Sequence, residues 1–434
     1  MDNKDEMQFP PADNVVAQER LRAFGLLFMS LVAIGMGQTL FFSILPPVAR
    51  DFGLSEIQVS TIFSLSAILW VLMSPVWGRL SDVWGRKPVI LLGLTGFAIS
   101  TGGFGVLLLL GQKALVPLSV LFGLMILTRA FFGLLGSGAP AAAQAYVADR
   151  TTRAGRTTGV AAIGAAFGLG TVVGPGFAAA LATYNLLAPF FMLAVFALIG
   201  VVALAKFLPE RRAPRDKNHK SPRLKVSDPR IRPFLIMGII VSLMQAAVMQ
   251  VSAFFVMDSL FLTATDTTQL VGVGMMAMAL ATLFAQLVVI PRANLSVRSL
   301  LVFGIVVNTL GLGLLLLPTS FGLFVAALTL QGFGSGLMRP AVAAGGSLAV
   351  TPEEQGAVAG YNSSTAAVGV LFVPIFMMPL YLGVSHHAPF FVAFILSILM
   401  LVFTRSKTLD HLEAPLDIEE HEEKTLAGDH HRHV

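Results

Sequence analysis

Leu91–Leu110 reads LLGLTGFAISTGGFGVLLLL, a run in which no side chain carries a charge. At about 1.5 Å per residue, an α-helix of that length crosses the roughly 30 Å hydrocarbon core of a bilayer. Within hydrocarbon only helices and closed barrels satisfy every backbone N–H and C=O. A barrel strand is about ten residues long and alternates in polarity, whereas this run is apolar throughout, so the helix is the fitting reading. The rest of the chain has the same character. Of 434 residues, 55% are hydrophobic and 12% charged, where soluble domains are about 25% charged. A mean hydropathy of +0.79 over the whole length excludes a water-soluble globule and leaves an all-α membrane protein.

Comparable apolar windows fall at 23–45, 58–77, 88–110, 115–143, 157–181, 187–207, 233–257, 269–290, 299–317, 320–343, 357–381 and 387–404, so about twelve transmembrane helices are expected. The first window exceeds the roughly 7–15-residue core of a signal peptide and should remain as a helix. Basic residues sort the connections. Arg20, Arg22, Arg79, Arg86, Lys87, Arg150, Arg153, Arg156, Arg292, Arg298, Arg405, Lys407 and the cluster at 206–232 fall on one side, and only Arg50 and Lys113 on the other. The positive-inside rule then places both termini in the cytoplasm. The expected organisation is a tail at 1–22, a six-helix bundle at 23–207, a basic proline-containing linker at 208–232, a second six-helix bundle at 233–404 and a tail at 405–434. The bundles echo each other. Gly136-Ser137-Gly138 with Pro140 recurs as Gly334-Ser335-Gly336 with Pro340, and Gly155 and Gly159 recur as Gly356 and Gly360. Parallel repeats of this kind, related by a pseudo-two-fold axis along the membrane normal, build many transporters.

The connection between the second and third windows reads Gly78-Arg79-Leu80-Ser81-Asp82-Val83-Trp84-Gly85-Arg86-Lys87. Its glycines permit a tight turn, Asp82 can accept hydrogen bonds at a helix terminus, and Arg86 stands at i,i+4 to pair with it. The segment resembles the G-x-L-x-D-x-x-G-R-[RK] signature of the major facilitator superfamily at every fixed position. That resemblance implies a twelve-helix transporter whose state is set in part by Gly78, Asp82, Gly85, Arg86 and Lys87. The fourth window, with Arg129, Gly133, Gly136, Pro140 and Asp149, is similar to the superfamily's fourth-helix motif, with Phe132 in place of a polar residue. In the fifth, Gly170-Thr171-Val172-Val173-Gly174-Pro175 resembles the antiporter motif of the 12-helix drug:proton group, ending in Ala178-Ala179 where the motif has glycines. Gly170, Gly174 and Pro175 are accordingly the expected hinge. The resemblance further implies proton-coupled efflux, multidrug resistance as a physiological role and a bacterial cytoplasmic membrane as location.

A charge in the hydrocarbon region costs about 3 kcal/mol or more and defaults to function. Arg129 is read as the one fixed charge deep in the spans, partnered by backbone carbonyls, Gln38, Thr39, water or ligand. A central cavity is expected from Arg129, Gln38, Thr39, Gln245, Gln250, Phe254, Tyr361 and Asn362, with a neutral or anionic small-molecule substrate favoured. Asp258, Asp82 and Asp149 are the candidates for proton coupling. Alternatives are export of an anionic metabolite or siderophore and, from another class, a non-transporting receptor or lipid-handling protein on the same fold. The eight histidines fall in loops and tails, no P-loop occurs and cysteine is absent. No cofactor, metal, nucleic acid or enzymatic activity is expected, and the chain is read as working as a monomer in the bilayer.

Overall fold

The structure, a computed structural model, describes residues 12–149, 153–209, 224–293, 295–317, 320–351 and 354–406. The expected tails beyond these limits, most of the basic linker and the His-rich segment lie outside the described residues.

The first half runs α1 (Ala12–Asp51), α2 (Glu56–Trp84), α3 (Arg86–Gln112), α4 (Leu118–Val147), α5 (Arg153–Ala182) and α6 (Ala188–Phe207). The second runs α7 (Arg232–Leu260), α8 (Ala264–Ala293), α9 (Val297–Leu314), α10 (Phe321–Leu348), α11 (Gly360–Gly383) and α12 (Ala388–Phe403). Eleven of these described helices are long and apolar enough to cross a membrane, and α12 is a shorter apolar helix of 16 residues. The helices begin where a hydroxyl can cap them. Ser55, Thr263, Ser296 and Ser320 each accept a hydrogen bond from the backbone N–H three residues on, at the starts of α2, α8, α9 and α10. The α2–α3 turn depends on Gly85, whose φ of +104° is a conformation open to glycine at little cost. Three helices contain a π turn: α4 at Phe132–Gly136, α8 at Ala285–Val289 and α11 at Val373–Met377.

Lipid gives helices no hydrophobic reason to associate, so close backbone approach has to supply the attraction. Gly35 of α1 and Gly170 of α5 make such an approach: a methyl on Gly35 would run into the Phe167 carbonyl, and one on Gly170 into the Val32 carbonyl. In the second half Gly332 of α10 lies in the same way on the Met278 carbonyl of α8.

The halves meet through α5 and α8, α2 and α11, and α1 with α7 and α8. Their hydrogen-bonded links gather toward one end. Ser60 donates to Gln250, Ser64 Oγ to the Val370 carbonyl at 2.9 Å, and Thr268 Oγ1 to the Ser43 carbonyl at 3.2 Å. At the outermost level Arg50 meets Asp258. At the same end α5 and α8 close up, since a methyl on Gly272 would sit 2.6 Å from the Pro175 carbonyl oxygen. This is called the latch end below, and the end carrying the Asp82 turn the linker end.

Candidate functional site

Between the halves lies a cavity of about 460 Å³, walled by α1, α5, α7, α8, α10 and α11. Gln38 and Thr39 enter it from α1, Gln245 and Gln250 from α7, and Pro175 from α5. Phe42, Phe167, Met275 and Met278 give it apolar walls. Gln250 closes it toward the latch end through the bond from Ser60. Toward the linker end, methyls on Gly168 and on Gly164, one turn further along α5, would meet open space.

Among the described residues, the one charged side chain that lines this cavity is Arg339 of α10. It is open to the cavity while lying deep in the bundle, and its Nη1 donates to Gln245 Oε1 at 3.2 Å. Arg339 corrects the reading that Arg129 is the sole deep charge. The signal was present in the sequence, an arginine inside an apolar window, and the rule applied to Arg129 applies to it equally. A second cavity of about 330 Å³, within the second half, shares Ser242, Gln286 and Arg339 with the first and adds Asn362.

Four residues expected in the central cavity lie elsewhere, Asn362 in the side cavity just described and three away from both. Arg129 is 4% exposed and wedged between the rings of Phe41 and Phe132, 4.2 and 4.4 Å from their centroids. Its Nε and Nη1 have no hydrogen-bond partner. Gln38 and Thr39 do not reach it: Thr39 turns its hydroxyl to the Gly35 and Met36 carbonyls, and Gln38 Oε1 is itself unpaired. The aromatic faces carry the electronegative side of the ring quadrupole and take the place of those partners. Phe254 is fully buried beneath Arg50, 5.0 Å from ring centroid to guanidinium carbon. Tyr361 donates to the Leu224 carbonyl at 2.6 Å, on the linker side of α11.

At the latch end Asp258 is held by Arg50 and by the Tyr381 hydroxyl, with His386 Nε2 at 3.8 Å. Arg50 Nε also donates to Glu56 at 3.0 Å. Asp258 thus sits in an ion-pair cluster joining α1, α2, α7 and α11. At the linker end Arg86 bridges Asp82 and Asp149, the latter at 3.0 Å, and donates to Ser81 Oγ at 2.6 Å. Lys87 Nζ donates to the Ala205 carbonyl at 2.7 Å, tying α3 to α6. Gly78 borders open space, whereas Gly174 packs on the Met36 backbone and Thr39. Arg230 binds Asp228 and Glu354, and these hydrogen bonds hold both carboxyls below the usual carboxylate range.

A family profile described as Major Facilitator Superfamily matches residues 27–295 and 265–427. The sequence matches no curated protein. Among solved structures, the fold is similar to the human organic anion transporter MFSD10 (TETRAN), at a TM-score of 0.63 and 19% identity over 91% of this chain and 100% of that one. It is also similar to a bacterial homologue of the human lysosomal transporter Spinster. In that protein's inward-facing, occupied form the TM-score is 0.66 at 15% identity, over 89% of this chain and 96% of that one. In its unoccupied form the TM-score is 0.68 at 13% identity, over 92% and 99%. With two profile matches spanning most of the chain and the twelve-helix architecture beneath them, this protein belongs to the major facilitator superfamily and is an integral membrane transporter, not an enzyme.

Proposed function

We propose that the chain is a secondary transporter that exports small amphipathic molecules, neutral or anionic, by alternating access in exchange for protons. In this reading the linker end is cytoplasmic, the membrane is a bacterial cytoplasmic membrane, and the monomer is the working unit. The observation that carries it is the closure of the latch end above a central cavity, with cross-half bonds from Arg50–Asp258 down to Ser60–Gln250. Rocking of the halves would break these bonds and open the cavity to the other side. Asp258 is the favoured coupling group, because release from Arg50 changes its charge environment as access alternates; Asp82 and Asp149 share Arg86 and stand second. Gly170, Gly174 and Pro175 on α5 would accommodate the movement. Arg339 favours an anion within the substrate class.

The chain contains no cysteine, so pairs of introduced cysteines can be spin-labelled without background. Ser55→Cys with Phe261→Cys reports the latch end, and Val83→Cys with Leu348→Cys the linker end. In nanodiscs titrated between acidic and neutral pH, the two distance distributions should shift in opposite senses. Distributions that stay fixed at both ends, or that widen together, would remove alternating access. Proteoliposomes with an imposed proton gradient then test coupling and direction.

A further inference from the structure

We propose that the side cavity next to Arg339 is the headgroup subsite for an amphipathic anion, a small acid group joined to an aromatic or aliphatic body that lies in the central cavity. The proposal rests on the central cavity being the transport site and specifies what it takes.

The two cavities are distinct in chemistry and meet at one charge. Arg339 lines both, with Ser242 and Gln286 beside it. Among the described residues neither cavity is lined by a carboxylate, so the guanidinium's charge is not neutralised by any side chain around it. One of its donors goes to Gln245, and a guanidinium has five. A charge so placed in a low-dielectric bundle is expensive without a counter-charge. An acid group supplies that charge with two oxygens suited to the planar fork.

The remaining lining of the side cavity fits a compact polar head. Gly238 leaves room where a methyl would lie 2.8 Å from Thr365 Oγ1, and Asn362 brings an amide to the wall. The central cavity offers Phe42, Phe167 and methionines, surfaces that take an aromatic or aliphatic body of variable shape. Arg129 cannot substitute for Arg339, because two rings enclose it. There is a mechanical consequence. The head site belongs wholly to the second half, so rocking leaves the ion pair intact and rearranges only the contacts to the body.

Three fluorescent probes of one body separate the terms: dansylglycine, its neutral amide dansylglycinamide, and the cationic dansyl-ethylenediamine. Binding is read from the dansyl emission with purified protein in phosphatidylcholine nanodiscs. Dansylglycine should bind about tenfold more tightly than the amide, as one charge-assisted bidentate contact implies, and the cation least. Arg339→Gln should erase the preference for the acid, so that acid and amide bind alike, and Arg339→Lys should keep part of it. Ala343→Met, which narrows the side cavity, should weaken the acid more than the amide. Equal binding of acid and amide, an acid preference that survives Arg339→Gln or Ala343→Met, or no binding of the acid at millimolar concentration would overturn the subsite. The spin-label distances at the two ends need no ligand, so alternating access can stand or fall separately.

Discussion

Asp258 of α7 and Arg50 of α1 form a two-pronged ion pair across the boundary between the halves, Nη2 donating to Oδ2 at 3.1 Å and Nη1 to Oδ1. Tyr381 donates to the same carboxylate from α11, and Glu56 takes the far side of the guanidinium from α2. Four helices are thus pinned at one level, below which Ser60 and Gln250 make the next link. Charge-assisted hydrogen bonds are worth roughly 1.5–3 kcal/mol each when partly buried. In the proposed cycle, contacts of that strength would bias which state is populated and would still break as the halves rock.

Breaking it from one side should bias the protein toward opening at the latch end. Asp258→Asn or Arg50→Gln is expected to raise the rate of maleimide labelling at Ser60→Cys by about tenfold, the effect of roughly 1.4 kcal/mol on a two-state equilibrium. Unchanged labelling in both variants would show that the pair does not govern the state. If Asp258 also couples protons, Asp258→Asn should lose the pH dependence of transport, which Arg50→Gln should alter without abolishing.

The linker-end turn makes a different claim. Arg86 joins Asp82 at the end of α2 to Asp149 at the end of α4, so both carboxylates act through a single guanidinium within the first half. Asp82→Asn and Asp149→Asn should each lower the initial transport rate severalfold at equal membrane abundance, and the double variant little further, because the effects share one partner. Additive losses would mean that the two aspartates work separately.

Twelve apolar windows, and the order of α1 to α12, were legible because lipid demands a long charge-free run for every crossing, and such runs survive any detail of packing. Gly85 was legible for a similar reason, since a tight turn needs a residue free to take positive φ. Arg129 and Asp258 were seen as chemically special, but their partners were not. Whether an arginine faces a cavity or two phenylalanine rings depends on helix rotation, and the π turn at Phe132–Gly136 shifts that rotation within α4. The Arg50–Asp258 pair joins residues 208 positions apart, a separation at which neither hydropathy nor motif spacing carries information. Arg339 is the opposite case, legible in principle and overlooked beside the better-marked Arg129.

At the linker end of the second half, the Arg230 clamp carries a pH dependence. The folded-state carboxyls of Asp228 and Glu354 lie below their ordinary values, chiefly through hydrogen bonds from Arg230. Their contribution to local stability is complete above the unfolded carboxylate values of about 4, and it is lost as pH falls through the lowered ones. Hydrogen exchange of the α10–α11 connection, normalised for intrinsic rates, should accelerate below that window. In Arg230→Gln it should be fast already at neutral pH and flat with acidification. The same pH profile in both proteins would separate the clamp from the effect.

Packing predicts a sharp contrast along α5. A methyl on Gly170 would strike the Val32 carbonyl, a backbone atom that cannot turn aside, whereas one on Gly164 meets open space. Gly170→Ala should destabilise by about 1–3 kcal/mol, as overpacking does, while Gly164→Ala should be neutral or slightly stabilising through helix propensity. Thermal unfolding in detergent, compared between the two variants, measures the difference. Equal midpoints would mean that α1 and α5 have room to separate.

Arg129 and Arg339 finally give opposite expectations for two chemically identical substitutions. Arg129 is sealed between Phe41 and Phe132 with two of its nitrogens unpaired, so its burial cost is offset by the rings and not by a ligand. A cation–π contact is worth about 2 kcal/mol when desolvated, and replacing a buried charge by an apolar side chain of similar volume is often neutral or stabilising. Arg129→Met should therefore leave dansylglycine affinity within about twofold of the parent and change unfolding temperature only modestly, in either direction. Arg339→Met, which deletes a charge that no carboxylate of either cavity lining offsets, should raise the unfolding temperature slightly in the absence of ligand and remove the acid preference. The cross is informative because both substitutions delete one positive charge from the bundle, so a long-range field effect would weaken acid binding in both. Loss of acid binding in Arg129→Met alone would return the ligand contact to α4, and equal loss in both would assign it to the summed field of the bundle.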